Sequence, residues 1–167
     1  ANGRFDAFDT SLAGVVGRAK YDGAVALGDR IYFAPYSQDN VGVFHAATNI
    51  FSTLSTRDGY YNALGPYKYS GAVAVGSKVF FAPCDEEHAG VLDTDTNRFA
   101  VVRSGVAPAA DGAAAAPTAV GSVPDGGSRF KGAAAIGNTV YFAPFNLGVV
   151  GVLAPAAPPS PPPAPSP

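Results

Sequence analysis

Lys20-Tyr21-x-Gly23-Ala24-Val25-Ala26-x-Gly28-x-x-Ile31-Tyr32-Phe33-Ala34-Pro35 is followed by two further versions of itself. The second is Lys68-Tyr69-x-Gly71-Ala72-Val73-Ala74-x-Gly76-x-x-Val79-Phe80-Phe81-Ala82-Pro83. The third is Arg129-Phe130-x-Gly132-Ala133-Ala134-Ala135-x-Gly137-x-x-Val140-Tyr141-Phe142-Ala143-Pro144. Self-similarity on this scale means one supersecondary unit copied and stacked, each copy burying its neighbour's apolar face.

Within a copy, an apolar run over 21–27 meets Gly28-Asp29 and resumes over 30–34. The corresponding dipeptides Gly76-Ser77 and Gly137-Asn138 are also of the kind that supplies positive φ in tight hairpins, so two strands, a and b, are expected. Most side chains on them are apolar on both faces, as in sheets covered on each side. After each Ala-Pro stop, a polar loop leads to strand c: Val41-Gly42-Val43-Phe44, Ala89-Gly90-Val91-Leu92 and Val150-Gly151-Val152-Leu153. Turns at Thr48-Asn49 and Thr96-Asn97 lead to strand d, Phe51-x-x-Leu54-x-Thr56 and Phe99-x-x-Val102-x-Ser104. The third copy has no strand d, because Ala154-Pro155 runs into prolines that cannot donate ladder hydrogen bonds.

A matching segment stands at the other end of the chain. Arg4-Phe5-x-x-Phe8-x-Thr10 has the form of Arg98-Phe99-x-x-Val102-x-Ser104 and precedes Lys20-Tyr21 as a strand d should. The expected order is d, abcd, abcd, abc. The pattern from Arg4 to Leu153 resembles the blades of β-propellers, kelch-like ones most closely, although it lacks the tryptophan of many such families. The resemblance implies an all-β, propeller-like fold of three four-stranded antiparallel blades, with the displaced N-terminal strand finishing the last one.

Three blades are fewer than the roughly four to eight of closed propellers. Three solutions are open: two chains forming a six-bladed ring, three sheets around a triangular core, or strand d completing the third blade of a different molecule. The last is heterologous, and it propagates as a filament if its rotation does not close. Arg4, Phe5, Phe8 and Thr10 form the expected assembly strand. Burying its two phenylalanines is worth roughly 3 to 6 kcal/mol before ordering costs.

Composition narrows the function classes. Only 14% of residues are charged and the net charge is -2, so no broad basic field exists to attract nucleic acid or an anionic membrane. Twenty Gly and fifteen Pro indicate many turns. No run approaches the ~20 apolar residues of a membrane-spanning helix. The sequence begins at Ala1 and contains no Met, which fits removal of an upstream piece such as a secretory signal, or a chain that is part of a longer gene product. The single cysteine, Cys84, follows Pro83 where Tyr36 follows Pro35 and Phe145 follows Pro144, so it is expected in an apolar slot.

Residues 1–154 are expected to form the repeat domain and 155–167 a polyproline II tail. The stretch 106–127, rich in Ala, Gly and Pro, is expected to be a surface insertion or a segment ordered by a neighbouring subunit. The tail serves either as a stiff linker or as a modified segment. Its Ser-Pro-Pro-Pro-Ala-Pro-Ser-Pro run resembles the hydroxyproline-rich segments of green-algal and plant cell-wall glycoproteins. That resemblance implies hydroxylation at Pro159, Pro161, Pro162, Pro163, Pro165 and Pro167, and O-linked glycans there or at Ser160 and Ser166.

Catalytic chemistry is not expected. His45 and His88 occupy different repeat positions, and no nucleophile elbow or phosphate-binding loop occurs. Asp85-Glu86-Glu87-His88 offers potential ligands. Asp93-x-Asp95-x-Asn97 imitates the opening of a calcium loop but lacks its later glutamate, so a polar c–d turn is expected there. Tyr60, Tyr61, Tyr67 and Tyr69 are candidates for stacking on sugars, with packing expected for Tyr69. No cofactor, metal or enzyme activity is expected. The functional expectation is an extracellular structural glycoprotein subunit that associates with copies of itself or with relatives in a matrix, cell wall or surface fibre. The alternative is an extracellular module that binds a glycan or protein.

Overall fold

A computed structural model describes residues 5–57, 65–102 and 127–154. The strands form where turn chemistry and β-propensity agree. They are β1 (Tyr21–Leu27), β2 (Arg30–Pro35), β3 (Asn40–His45) and β4 (Ile50–Ser55); β5 (Tyr69–Val75), β6 (Lys78–Pro83), β7 (Ala89–Asp93) and β8 (Arg98–Val102); and β9 (Phe130–Ile136), β10 (Thr139–Pro144) and β11 (Gly151–Leu153). They make three antiparallel meanders: β1-β2-β3-β4, β5-β6-β7-β8 and β9-β10-β11, called sheets 1, 2 and 3 below. The fold is all-β, with sheets of four, four and three strands.

Each a–b hairpin closes on two residues, Leu27 pairing with Arg30, Val75 with Lys78 and Ile136 with Thr139. The first turn residue is left-handed each time, with φ of 62° at Gly28 and 57° at both Gly76 and Gly137. At the c–d turns the left-handed residue is Asn49 or Asn97, the side chain that tolerates this region best after glycine. Strand b runs one residue further than the sequence suggests, because proline is admitted at a ladder's end, where the missing N–H interrupts nothing.

The inner strands carry a bulge that organises the whole array. The register slips between Tyr21 and Ala24 and again between Tyr69 and Ala72, around glycines with φ near 91°. A Cβ on Gly23 would lie 2.7 Å from the Gly71 Cα, and one on Gly71 would lie 2.5 Å from the Gly132 Cα. The β1, β5 and β9 backbones therefore touch in series, which only glycine permits. Pairs of sheets share their apolar faces accordingly. Tyr32, Ala34, Val41 and Val43 of sheet 1 meet Tyr69, Val79, Phe81, Leu92 and Phe99 of sheet 2. Phe80, Ala82 and Ala89 of sheet 2 meet Phe130, Val140 and Phe142 of sheet 3. No apolar cluster joins sheet 1 to sheet 3 among the described residues, and the packing among these is a row, sheet 1 on sheet 2 and sheet 2 on sheet 3.

Two expectations require correction. Among the described residues the third sheet has three strands, and residues 5–10 do not complete it within the chain. Residues 5–10 adopt no strand conformation, and Phe8 rests on Phe44 of sheet 1 at 5.2 Å between ring centroids. The physical reason is sequence order. The segment leads into sheet 1, at the opposite end of the row from sheet 3. Thr10 instead starts a short 3-10 turn (Ser11–Ala13), whose approach Asp9 fixes by accepting hydrogen bonds from the Ser11 N–H and Oγ.

Candidate functional site

Repeat positions that hold aromatic residues converge on the glycine of each c strand. In sheet 1, Tyr21, Phe33 and Phe51 have centroids 5.9–6.0 Å apart, the distance range of favourable tilted ring pairs. In sheet 2, Tyr69, Phe81 and Phe99 repeat this at 6.0–6.1 Å. The rings cover Gly42 and Gly90, where a Cβ would meet Phe51 Cζ at 2.7 Å or Phe99 Cζ at 2.8 Å. Strand d supplies one ring of every complete trio.

Sheet 3 has only two of the three rings. Phe130 and Phe142 stand 6.0 Å apart over Gly151, and no third ring joins them among the described residues. The β11 strand pairs with β10 on one side, and its other edge meets no further strand of the described chain. An open edge is a template for another segment. Phe5, which takes the place of Phe51 and Phe99 when the copies are aligned, is 93% exposed, and Phe8, which takes the place of Leu54 and Val102, is 48% exposed. Arg4 and the tail positions Pro159 to Pro167, with Ser160 and Ser166, lie outside the described residues, as do Tyr60, Tyr61 and most of 106–127.

A polar seam repeats beside the apolar one. The Lys68 N–H donates to the Tyr36 carbonyl at 2.9 Å, and the Arg129 N–H donates to the Cys84 carbonyl at 2.8 Å. The Lys68 side chain is 1% exposed and gives its ammonium to Asp39 Oδ1 at 3.1 Å and the Gly65 carbonyl at 2.7 Å. Arg129 reaches back to the Glu86 carbonyl at 3.2 Å. The Ser70 hydroxyl donates to Asp22 Oδ2 at 2.7 Å. The residue that begins the second copy and the residue that begins the third thus each clasp the b–c loop of the copy before. The basic residue at the start of every repeat was visible in the sequence, but its inter-sheet role required knowing which loops meet.

The remaining candidates have structural duties. His45 bridges Asp29 Oδ2 at 2.7 Å and Thr48 Oγ1 at 2.8 Å across hairpin ends, while His88 belongs to the β6–β7 loop of another sheet. Asp93 binds Lys78 Nζ at 2.5 Å and accepts from the Thr96 N–H and hydroxyl at 3.0 Å. These contacts hold its carboxyl down at about 2. Its oxygens therefore close the c–d turn, and no group of three His, Cys, Asp or Glu gathers among the described residues. Asp85 accepts from the Ser128 N–H, tying the b–c loop to the start of sheet 3. Cys84 is buried beside Ser128 Oγ, and burial pushes its thiol up. Tyr69 is wholly buried in its trio, and Tyr67 meets Tyr36 as a tilted pair with ring centroids 5.0 Å apart. Tyr21 donates to Asn40 Oδ1 at 2.6 Å, and desolvation raises its phenol to about 12.

No protein-family model and no curated protein matches this chain.

Proposed function

We propose that the protein is a secreted structural subunit that assembles by strand complementation, its N-terminal segment completing sheet 3 of another copy or of a relative. The observation that carries this reading is the missing ring. Two aromatic trios are complete, the third is short by the ring that strand d would supply, and Phe5 stands unburied at that repeat position. Phe5 would close the trio over Gly151, and Phe8 would take the place that Val102 holds in sheet 2. Ladder hydrogen bonds to the open β11 edge would supply affinity, and the two rings would fix the register.

In this reading the units are propeller-like blades, and the tail carries hydroxyproline and O-linked glycans at Pro159, Ser160, Pro161, Pro162, Pro163, Pro165, Ser166 and Pro167. The extended, hydrated tail would keep assembled subunits spaced in an extracellular matrix, wall or fibre. Electron microscopy and sedimentation of the full chain and of a variant lacking residues 1–10 provide the test. Assembly that depends on those residues is the expected result, and a Phe5→Ser variant should weaken it without changing the melting temperature of the dispersed chain. Undiminished assembly of the truncated protein would end the proposal. Glycopeptide mass spectrometry of native material tests the tail, and unmodified prolines and serines would remove the glycoprotein element.

A further inference from the structure

The two end faces of the row are the unmatched halves of one repeated interface, and we infer that sheet 3 docks face to face on sheet 1 of a second copy. This inference rests on the self-assembly reading and adds a second, distinct contact to it. Every step in the row joins a forward face to a rear face. On forward faces, Val41 of sheet 1 and Ala89 of sheet 2 are buried, whereas Val150 at the same position of sheet 3 is 55% exposed. Ile136, in the position of the packed Leu27 and Val75, is 75% exposed. On rear faces, Tyr69, Phe81, Leu92 and Phe99 are buried, while Tyr21, Phe33 and Phe51 keep part of their surface and Phe44, the counterpart of Leu92, lies half-buried under Phe8, which strand complementation would draw off this face.

The backbone is prepared for the same step. A Cβ on Gly23 or Gly71 would strike the next glycine's backbone, whereas one on Gly132 would meet only the Ala143 Cβ at 4.0 Å. Gly132 is thus ready to receive the Gly23 of another copy. The seam continues in the same series: Lys68 N–H to Tyr36 carbonyl, Arg129 N–H to Cys84 carbonyl, and next Lys20 N–H to the Phe145 carbonyl of the other copy. Charge agrees as well. Asp22 faces Ser70 across the first step, and the residue at this position on the open forward end is Lys131, held over the Phe145 ring at 4.3 Å. Docking would set Lys131 against Asp22, opposite charges at the place where a hydroxyl and a carboxylate already meet.

The partner is a second copy because the two faces are successive halves of a contact this chain makes twice within itself. The contact is heterologous, and two chains would give six sheets, inside the range of about four to eight in closed propellers. The same docking brings the N-terminal segment of one chain, which leads into sheet 1, beside the open β11 edge of the other.

Sedimentation equilibrium of the full chain tests the inference through a charge exchange. Asp22→Lys alone and Lys131→Asp alone should each weaken association about tenfold, by setting like charges together. An equimolar mixture should restore it, since both contacts of a mixed pair then join a lysine to an aspartate. Restoration also requires both variants to be folded. A mass that stops at two chains and a mass that keeps growing both support the interface, as ring and filament respectively. A wild-type chain that stays monomeric at millimolar concentration overturns it, as does a mixture no stronger than the single variants. Association lost with Phe5→Ser but indifferent to the charge exchange would leave strand complementation standing and remove this face.

Discussion

Sheets 2 and 3 are built from closely similar sequences, yet among the described residues one is covered on both faces and the other on one. Ala82, Cys84 and Leu92 of sheet 2 are completely buried. Their counterparts in sheet 3, Ala143, Phe145 and Leu153, are exposed or only half-buried. The side chains hardly differ in character, so burial here is decided by position in the row. A repeat makes an interface out of every internal face and leaves an unused copy of that interface at each end. The ends of such arrays require polar caps, partners or closure, and here both ends retain apolar side chains.

The largest expected effect separates the central glycine from the terminal one. Gly71→Val forces a side chain into backbone at 2.5 Å and should abolish cooperative folding, which circular dichroism on heating would reveal. Gly132→Val meets only the Ala143 Cβ at 4.0 Å but sits at φ 92°, so the isolated chain should lose only about 1–3 kcal/mol while losing the proposed association. Equal damage from the two would erase the contrast between inner and outer steps.

Next in size is the aromatic trio. Phe81→Ala should cost about 3–5 kcal/mol in urea unfolding, since Phe81 is sealed between sheets 1 and 2. Phe33→Ala, at the matching site of the half-open rear face, should cost less than half as much in the dispersed chain and approach the Phe81 value only on assembly. The buried cation follows. Lys68→Ala removes an ammonium bonded to Asp39 and the Gly65 carbonyl and should cost about 1.5–3 kcal/mol, whereas Lys20→Ala at the free end should change the monomer's stability little.

The smallest effect concerns acid. Asp93 is held at about 2 by Lys78 and Thr96, below the ordinary 3.8, so the contribution of this turn is present above the unfolded value and fades as pH falls through about 2. Lys78→Gln should move the Asp93 titration, followed by carboxyl carbon NMR, back toward 3.8. The first copy has His45 and the third Ala154 in place of Asp93, so acid should loosen sheets 1 and 3 no further by this route. An unmoved titration would show that Thr96 alone holds the carboxylate.

Most strand positions were legible because the informative signals are local. Gly28, Gly76 and Gly137 mark hairpins wherever they stand, and the apolar runs around them have one stable use. The candidate site was legible in part. The likeness of Phe5 to Phe51 and Phe99 marked the segment, and the trios that give the likeness meaning came from cross-strand neighbours. Whether the segment finishes a sheet of its own chain or of another was open in the sequence, and residues 5–10 do not do so in their own chain; pattern matching gives a segment's likeness and not where in space an edge for it lies. Lys131 and Asp22 carried no visible signal, since a single charged position gains its sense only when the facing surface is known.

The order of strands, the turns and the identity of the repeating face were determined by the sequence alone, through hydrogen-bonding geometry and side-chain alternation over a few residues. Which faces are used and which are left over was decided only in the tertiary structure. Burial depends on what stands next in space, and a row of similar sheets has two ends that no local pattern distinguishes from its middle.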